Sequence, residues 1–148
     1  MENEIKCCVI TDAHEKQEMV VCFSDFTYRK DLDKKDIVEL SRKIAAHAAV
    51  ITAVINNEKA GLISYYRNDL KSKTAFINLV VVNPKKRGMG VATAMLKKVV
   101  EDCADNGFRQ IRLEVDSDNK KAIHLYEKAG FKKEDETSDG KTFYKLIL

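Results

Sequence analysis

Residues 74–82, TAFINLVVV, are apolar at odd and even positions alike, with only Thr74 and Asn78 interrupting. Successive residues of a strand point to opposite faces of its sheet, so a strand of this composition belongs at the centre of a sheet covered on each side. That requirement sets the layering: helices on both faces of a sheet built around this strand. The next segment, NPKKRGMGVA, holds the chain's only proline, two of its six glycines and three consecutive cations. Pro84 ends strand pairing because it has no N–H to donate. Beyond Gly90, the residues Ala92, Met95, Leu96, Val99 and Cys103 recur at helical spacing, and Asn106–Gly107 supplies a left-handed stop.

The remaining chain fits the same layering. Ile5 to Ile10 reads as a short strand, while residues 12–30 show no clear period. Asp33 can cap a helix that places Ile37, Leu40, Ile44 and Ala48 on one side. Val50–Ile55 and Ala60–Arg67 read as a hairpin joined by Asn56-Asn57-Glu58-Lys59. A strand over Arg109–Val115, a helix over Asn119–Ala129 stopped by Gly130, and a hairpin turning at Asp139–Gly140 into TFYKLIL complete the order. The predicted fold class is α/β, with a mixed sheet and helices on both faces. No repeat, low-complexity tract or linker divides the chain, so residues 1–148 are expected to form a single domain. The final strand is expected to be exposed, an edge through which a homodimer could pair.

Several function classes drop out. No apolar run is long enough to cross a bilayer, and the acidic start MENEIK is unlike a signal peptide. The expectation is a cytoplasmic protein with no membrane partner. Cys7, Cys8, Cys22 and Cys103 form no C-x-x-C pair and have no partners at zinc-ligand spacing, so no metal is expected and the thiols read as reduced and buried. A net charge of +3 is too small to indicate a nucleic-acid partner. Its distribution says more: Lys85, Lys86, Arg87, Lys97 and Lys98 lie within fourteen residues that contain no acid, the composition of a local anion site.

The glycine-rich turn supports that site. Glycines let successive N–H groups point into one concavity, and the first helical turn adds free N–H donors and the positive end of the helix dipole. Cations on the rim suit a ligand with several phosphates. An ordinary strand-to-helix loop with solvated lysines would need the same glycines, so this stretch alone leaves both readings open. The spacing matches neither the P-loop nor the dinucleotide fingerprint.

The residues resemble the GNAT superfamily of N-acetyltransferases, whose acyl-CoA loop follows the pattern Q/R-x-x-G-x-G/A. Arg87, Gly90 and Ala92 fill its three fixed positions. A second segment, DNKKAIHLYEKAGF, resembles the family's other signature through Asn119, Ala122, Tyr126, Gly130 and Phe131. The two signatures occur in the family's order, and the resemblance covers about residues 33–148. It implies a GNAT fold with a mixed, mostly antiparallel central sheet and a splayed parallel strand pair that binds CoA. The implied co-substrate is acetyl-CoA, its pyrophosphate held by backbone amides of Arg87, Gly88, Met89, Gly90, Val91 and Ala92. Its pantetheine arm would lie beside Val80, Val81 and Val82, with Asn119 nearby.

The implied chemistry is transfer of acetyl to a primary amine by direct attack in a ternary complex. Such transfer needs a neutral amine, a donor for the carbonyl oxygen and a proton for the departing thiolate. By resemblance Tyr126 is the general acid and an N–H near Val80–Val82 is the oxyanion donor. Many relatives carry a glutamate where this chain has Asn78, so a direct carboxylate base is not expected there, and the proton is expected to leave along a water relay or to a base from the N-terminal half. Tyr28, Tyr65, Tyr66 and Asp69 fall in regions that line the acceptor pocket in relatives, and alternation puts Tyr65 and Tyr66 on opposite faces. His47 ends a helix, and His124 and Glu127 read as solvated. The Tyr28–Asp69 stretch looks similar to bacterial GNATs encoded near surface-polysaccharide genes, which implies a small-molecule amine, an amino sugar among the candidates. The alternatives are a protein or peptide N-acetyltransferase and a non-catalytic acyl-CoA-binding module.

Overall fold

Thr74–Val82 is the fourth strand, β4, of a seven-stranded sheet. The computed structural model describes residues 4–26 and 33–148. Its other strands are β1 (Ile5–Ile10), β2 (Ala49–Ile55), β3 (Glu58–Asp69), β5 (Gln110–Asp116), β6 (Lys132–Glu136) and β7 (Lys141–Ile147), in the spatial order β1-β2-β3-β4-β5-β7-β6. All neighbours are antiparallel except β4 and β5. The helices are α1 (Ala13–Phe23), α2 (Lys34–His47), α3 (Val91–Asp105) and α4 (Lys120–Lys128).

Local chemistry explains most of these boundaries. Asp33 and Asp36 form a reciprocal capping box at the start of α2. The segment without a clear period is α1, capped by Asp12, whose carboxylate accepts from the Glu15 N–H at 2.9 Å; it buries only Val20 and Phe23, too few to mark a period. The first hairpin is tighter than the four-residue connection expected. Asn56 and Asn57 take left-handed φ values of 51° and 64° and Glu58 already pairs with Ile55, the two-residue turn that asparagine favours.

Helices cover both faces. Alternate residues of β2 divide between two buried clusters: Ala49, Ile51, Ala53 and Ile55 lie with Met95, Leu96 and Val99 of α3, whereas Val50 lies with Val20 and Phe23 of α1 and Ile44 of α2. The beginning of α3 sits hard on β3, because a Cβ at Gly61 would come within 2.7 Å of Val91 Cγ1. Two expectations are corrected. The final strand is not an edge: β7 lies between β5 and β6, and the edges are β1 and the wholly exposed β6. Of the cysteines, only Cys103 is buried; Cys8 and Cys22 are exposed. Among the described residues, no helix is long and apolar enough to cross a membrane.

Two features of β4 create the site. In its pairing with β3, Ser64 lies opposite Leu79 and Tyr65 opposite Ile77, so Asn78 is an extra, bulged residue. The bulge reverses the side-chain phase. Ile77, Val80 and Val82 belong to the α3 side, Leu79 and Val81 to the α1–α2 side. Beyond the bulge β4 also leaves its parallel neighbour. The two pair from Thr74/Gln110 only as far as Ile77/Leu113, while β4 continues along β3 to Val82 and β5 along β7 to Asp116. A bulge bends its strand, and here the strands part from Asn78 and Glu114 onward.

Candidate functional site

The parting of β4 and β5 opens a cavity of about 770 Å³ that passes from one face of the sheet to the other. Val80, Val82, Ala92, Ala122, Leu125 and Tyr126 line its α3–α4 side, together with Arg87 and Asn119. Its other side carries Phe26, Phe76, Glu114, Asp116 and Lys141.

The glycine turn stands at one mouth. Asn83 anchors it, donating its backbone N–H to the Ala60 carbonyl at 2.8 Å and its side-chain amide to the Lys59 carbonyl at 3.0 Å. Its side-chain oxygen accepts from Lys85 N–H at 3.0 Å and caps the short turn Pro84–Lys86. Gly88 and Gly90 take φ values of 78° and 83°, a region costly for other residues. A Cβ at either would meet nothing within 4 Å, so conformation, not crowding, requires glycine, and the backbone there is open to a ligand. The first helical bond of α3 runs from Ala94 N–H to the Gly90 carbonyl at 3.0 Å. The N–H groups of Val91, Ala92 and Thr93 therefore have no partner inside the helix. The three rim cations are unequal: Lys86 pairs with Glu58 at 3.0 Å, whereas Arg87 lines the cavity.

Of the residues singled out by sequence, the cavity brings together Val80, Val81, Val82, Arg87, Ala92, Asn119 and Tyr126. Gly88, Met89 and Gly90 stand outside it on the turn, where they can offer only backbone and, for Met89, an exposed side chain. The Val91 side chain is buried in the core, which leaves its N–H as the group it can offer. Asn119 caps α4 by accepting from Ala122 N–H at 3.2 Å. Tyr126 is 7% exposed and meets the Phe131 ring edge-on at 5.8 Å. Burial pushes its phenol pKa up to about 12, so it stays protonated at neutral pH.

The acceptor-side expectations divide differently. Tyr28 lies outside the described residues. Tyr65 is fully buried on the α3 side and donates to Asp102 Oδ2 at 2.6 Å; burial, then that carboxylate, raises its pKa well above the ordinary range. Arg67 Nε lies 3.1 Å from the same oxygen, an ion pair without hydrogen-bond alignment. This group ties β3 to α3 away from the cavity. Tyr66 lies on the opposite face, as alternation requires. Asp69 closes a turn with Ser72, and His47, His124 and Glu127 are solvent-exposed. Asn78 accepts from the Ser64 hydroxyl and lines the cavity.

Glu114 and Phe76 were not foreseen from the sequence. Glu114 is the first residue of β5 beyond its last rung with β4, and it lines the cavity. Asp116 is engaged by Lys141, so Glu114 is the strand carboxylate there with no ion pair among the described residues. The alternation of RLEVD, with Leu113 and Val115 inward, carries a signal for its orientation. What the sequence lacks is the point at which β4 departs.

The model of a family described as "Acetyltransferase (GNAT) family" matches residues 14–131. The thialysine N-epsilon-acetyltransferase of Bos taurus is 34% identical over 70 residues, 47% of this chain and 41% of that protein. The spermidine N(1)-acetyltransferase of Escherichia coli K12 is 34% identical over 87 residues, 55% of this chain and 44% of that protein. The matches thus take in less than half the length of these curated relatives. Among solved structures, a GNAT-family protein from Desulfovibrio desulfuricans superposes with a TM-score of 0.80 at 18% identity, covering 97% of this chain and 99% of the other.

Proposed function

This chain belongs to the acetyltransferase (GNAT) family, and on that premise we propose that it transfers an acetyl group from acetyl-CoA to a primary amine of a small molecule. The observation that carries this reading is the continuity of the cavity, whose lining runs from Arg87 and Ala92, on either side of the glycines, to Tyr126 and, through the parted strands, to Glu114. The open left-handed turn, the N–H groups of α3 without helical partners, and Arg87, which forms no ion pair among the described residues, suit a pyrophosphate. The apolar walls at Val80, Val82 and Ala122 suit a narrow organic arm with few charges. Arg87 and the N–H groups from Gly88 to Ala92 would hold the phosphates, and main-chain groups of Val80–Val82 the arm. Bound acetyl-CoA supplies an acyl group already activated as a thioester.

The chain's own groups do the rest. Tyr126, kept protonated by its burial, holds a proton for the departing sulfur. A main-chain N–H beyond the Asn78 bulge donates to the thioester carbonyl as its oxygen gains charge. Asn78 cannot act as a base, and Glu114 takes the ammonium proton, directly or through one water, leaving the amine lone pair free to attack. Holding both reactants in one cavity supplies the orientation that a bimolecular encounter lacks. The names of the bovine and E. coli relatives, for thialysine and spermidine, support a small amine as acceptor.

A thiol-release assay with acetyl-CoA and a panel of diamines, amino acids, amino sugars and peptides tests this reading. Turnover is expected with small amines, at rates exceeding background hydrolysis and suppressed by Glu114→Gln. Turnover restricted to peptides would instead favour a protein acetyltransferase. Tight acetyl-CoA binding without turnover of any amine would leave a binding module.

A further inference from the structure

Three cations stand abreast on the sheet beside the acceptor side of the cavity. Arg112 of β5 lies directly opposite Lys145 of β7, and Lys145 directly opposite Lys132 of β6. Like charges directly opposite on neighbouring strands repel. Among the described residues one acid pairs with this row. Glu134 accepts from Arg112 Nε at 2.8 Å, and its other oxygen lies 3.8 Å from Lys145 Nζ. Within this rung three cations share one paired carboxylate, while the next rung carries Glu114 and Asp135 on either side of Phe143.

Arg112 is held as if to receive a ligand. Its guanidinium carbon lies 5.1 Å from the centroid of the Phe143 ring, a cation–π contact that fixes the plane of the group. With Nε committed to Glu134, its Nη groups donate to nothing among the described residues, and the side chain keeps 35% of its exposure. Phe143 is the cross-strand partner of Glu114, so the guanidinium leans toward the rung where the cavity begins. Phe76, the β4 neighbour of Arg112, lines that cavity. Glu114 and Arg112 are two residues apart on one strand, hence on one face and about 7 Å apart at the backbone.

We propose that this row is an anion subsite for the acceptor, so that the substrate is an amine carrying its own carboxylate or phosphate a few bonds away. The inference rests on the acetyl-transfer reading above. The ammonium group meets Glu114, and the anionic group takes the free edge of Arg112, backed by Lys145. Arginine offers paired N–H donors that match either anion. A polyamine would place a second positive charge against this row and be repelled.

The test compares kcat/KM for 2,4-diaminobutyrate, for its decarboxylated counterpart 1,3-diaminopropane and for glucosamine 6-phosphate, in the wild type, Arg112→Gln and Arg112→Lys. The wild type is expected to favour one of the two anionic acceptors over 1,3-diaminopropane by about ten- to a hundredfold, the range of a hydrogen bond to a charged group. Which of the two it favours separates carboxylate from phosphate. Arg112→Gln should remove most of that preference through KM, raising the KM of the anionic acceptors and leaving that of 1,3-diaminopropane unchanged or lower as a repelling charge is lost, with kcat within about twofold, and Arg112→Lys should restore part of it. A wild type that prefers 1,3-diaminopropane, or an Arg112→Gln loss equal for all three, overturns the inference while leaving acetyl transfer in place. Absence of turnover with every amine overturns both. If Arg112→Gln fails to fold, the wild-type order of the three acceptors decides alone.

Discussion

Replacing Tyr126 with phenylalanine is expected to lower kcat about a hundredfold at saturating acetyl-CoA and amine, with little change in Tm or in affinity for CoA. The substitution keeps the ring, its packing in the α3 cluster and its edge-on contact with Phe131. It removes only the hydroxyl of a residue that lines the cavity. General-acid assistance accounts for about 10²- to 10⁴-fold. The lower end applies because a thiolate leaves tolerably well without a proton. The pH profile gives a second check. Burial pushes the phenol pKa up to about 12, so the group stays protonated from pH 6 to 10. The variant's rate over that range should therefore fall uniformly, without a change in profile shape. A rate within about twofold of the wild type at full CoA affinity would make Tyr126 a packing residue.

The second large effect is expected at Arg87. Reversing its charge with Arg87→Glu should weaken acetyl-CoA binding by about ten- to a hundredfold, read by isothermal titration, because a charge-assisted bond to phosphate is replaced by repulsion. Arg87 is exposed, so the difference should shrink as salt is raised, and Tm should be unchanged. Lys86→Glu is the internal comparison. Lys86 pairs with Glu58, and its replacement is expected to cost less affinity than that of Arg87. Gly90→Asp is a poorer probe, because at φ 83° any side chain strains the start of α3 as well as adding charge. Equal affinities for wild type and Arg87→Glu at low salt would remove the phosphates from this turn.

The elements set by local chemistry are legible in the chain. The both-faced apolarity of β4, the Asp33 cap, the glycine turn before α3 and the Asn119-to-Gly130 span of α4 each rest on residues adjacent in sequence. Features set by pairing across the sheet are not. Asn78 looks like any polar interruption of a strand, and only its register against Ser64 and Tyr65 shows it to be a bulge. The same bulge moves the α3-facing positions of β4 from odd-numbered residues (Ala75, Ile77) to even-numbered ones (Val80, Val82). Glu114 gains its position from the rung at which β4 departs. The final strand is apolar enough for an interior place, yet its insertion between β5 and β6 depends on a return that local spacing does not encode. Tyr65, an acceptor-side candidate by position, is instead a buried tie between β3 and Asp102 of α3. That role needs a contact between residues 37 apart in the chain.

Acetyl-CoA is expected to occupy the opening between β4 and β5. Amide hydrogen exchange with and without saturating acetyl-CoA tests this placement independently of the acceptor. Protection is expected in segments covering residues 78–94 and 114–126, which hold the bulge, the glycine turn, the start of α3 and the cavity side of α4. The edge strands β1 and β6 should exchange as in the free protein. No protection over residues 87–93, or protection confined to segments outside the parted strands, would place acetyl-CoA elsewhere.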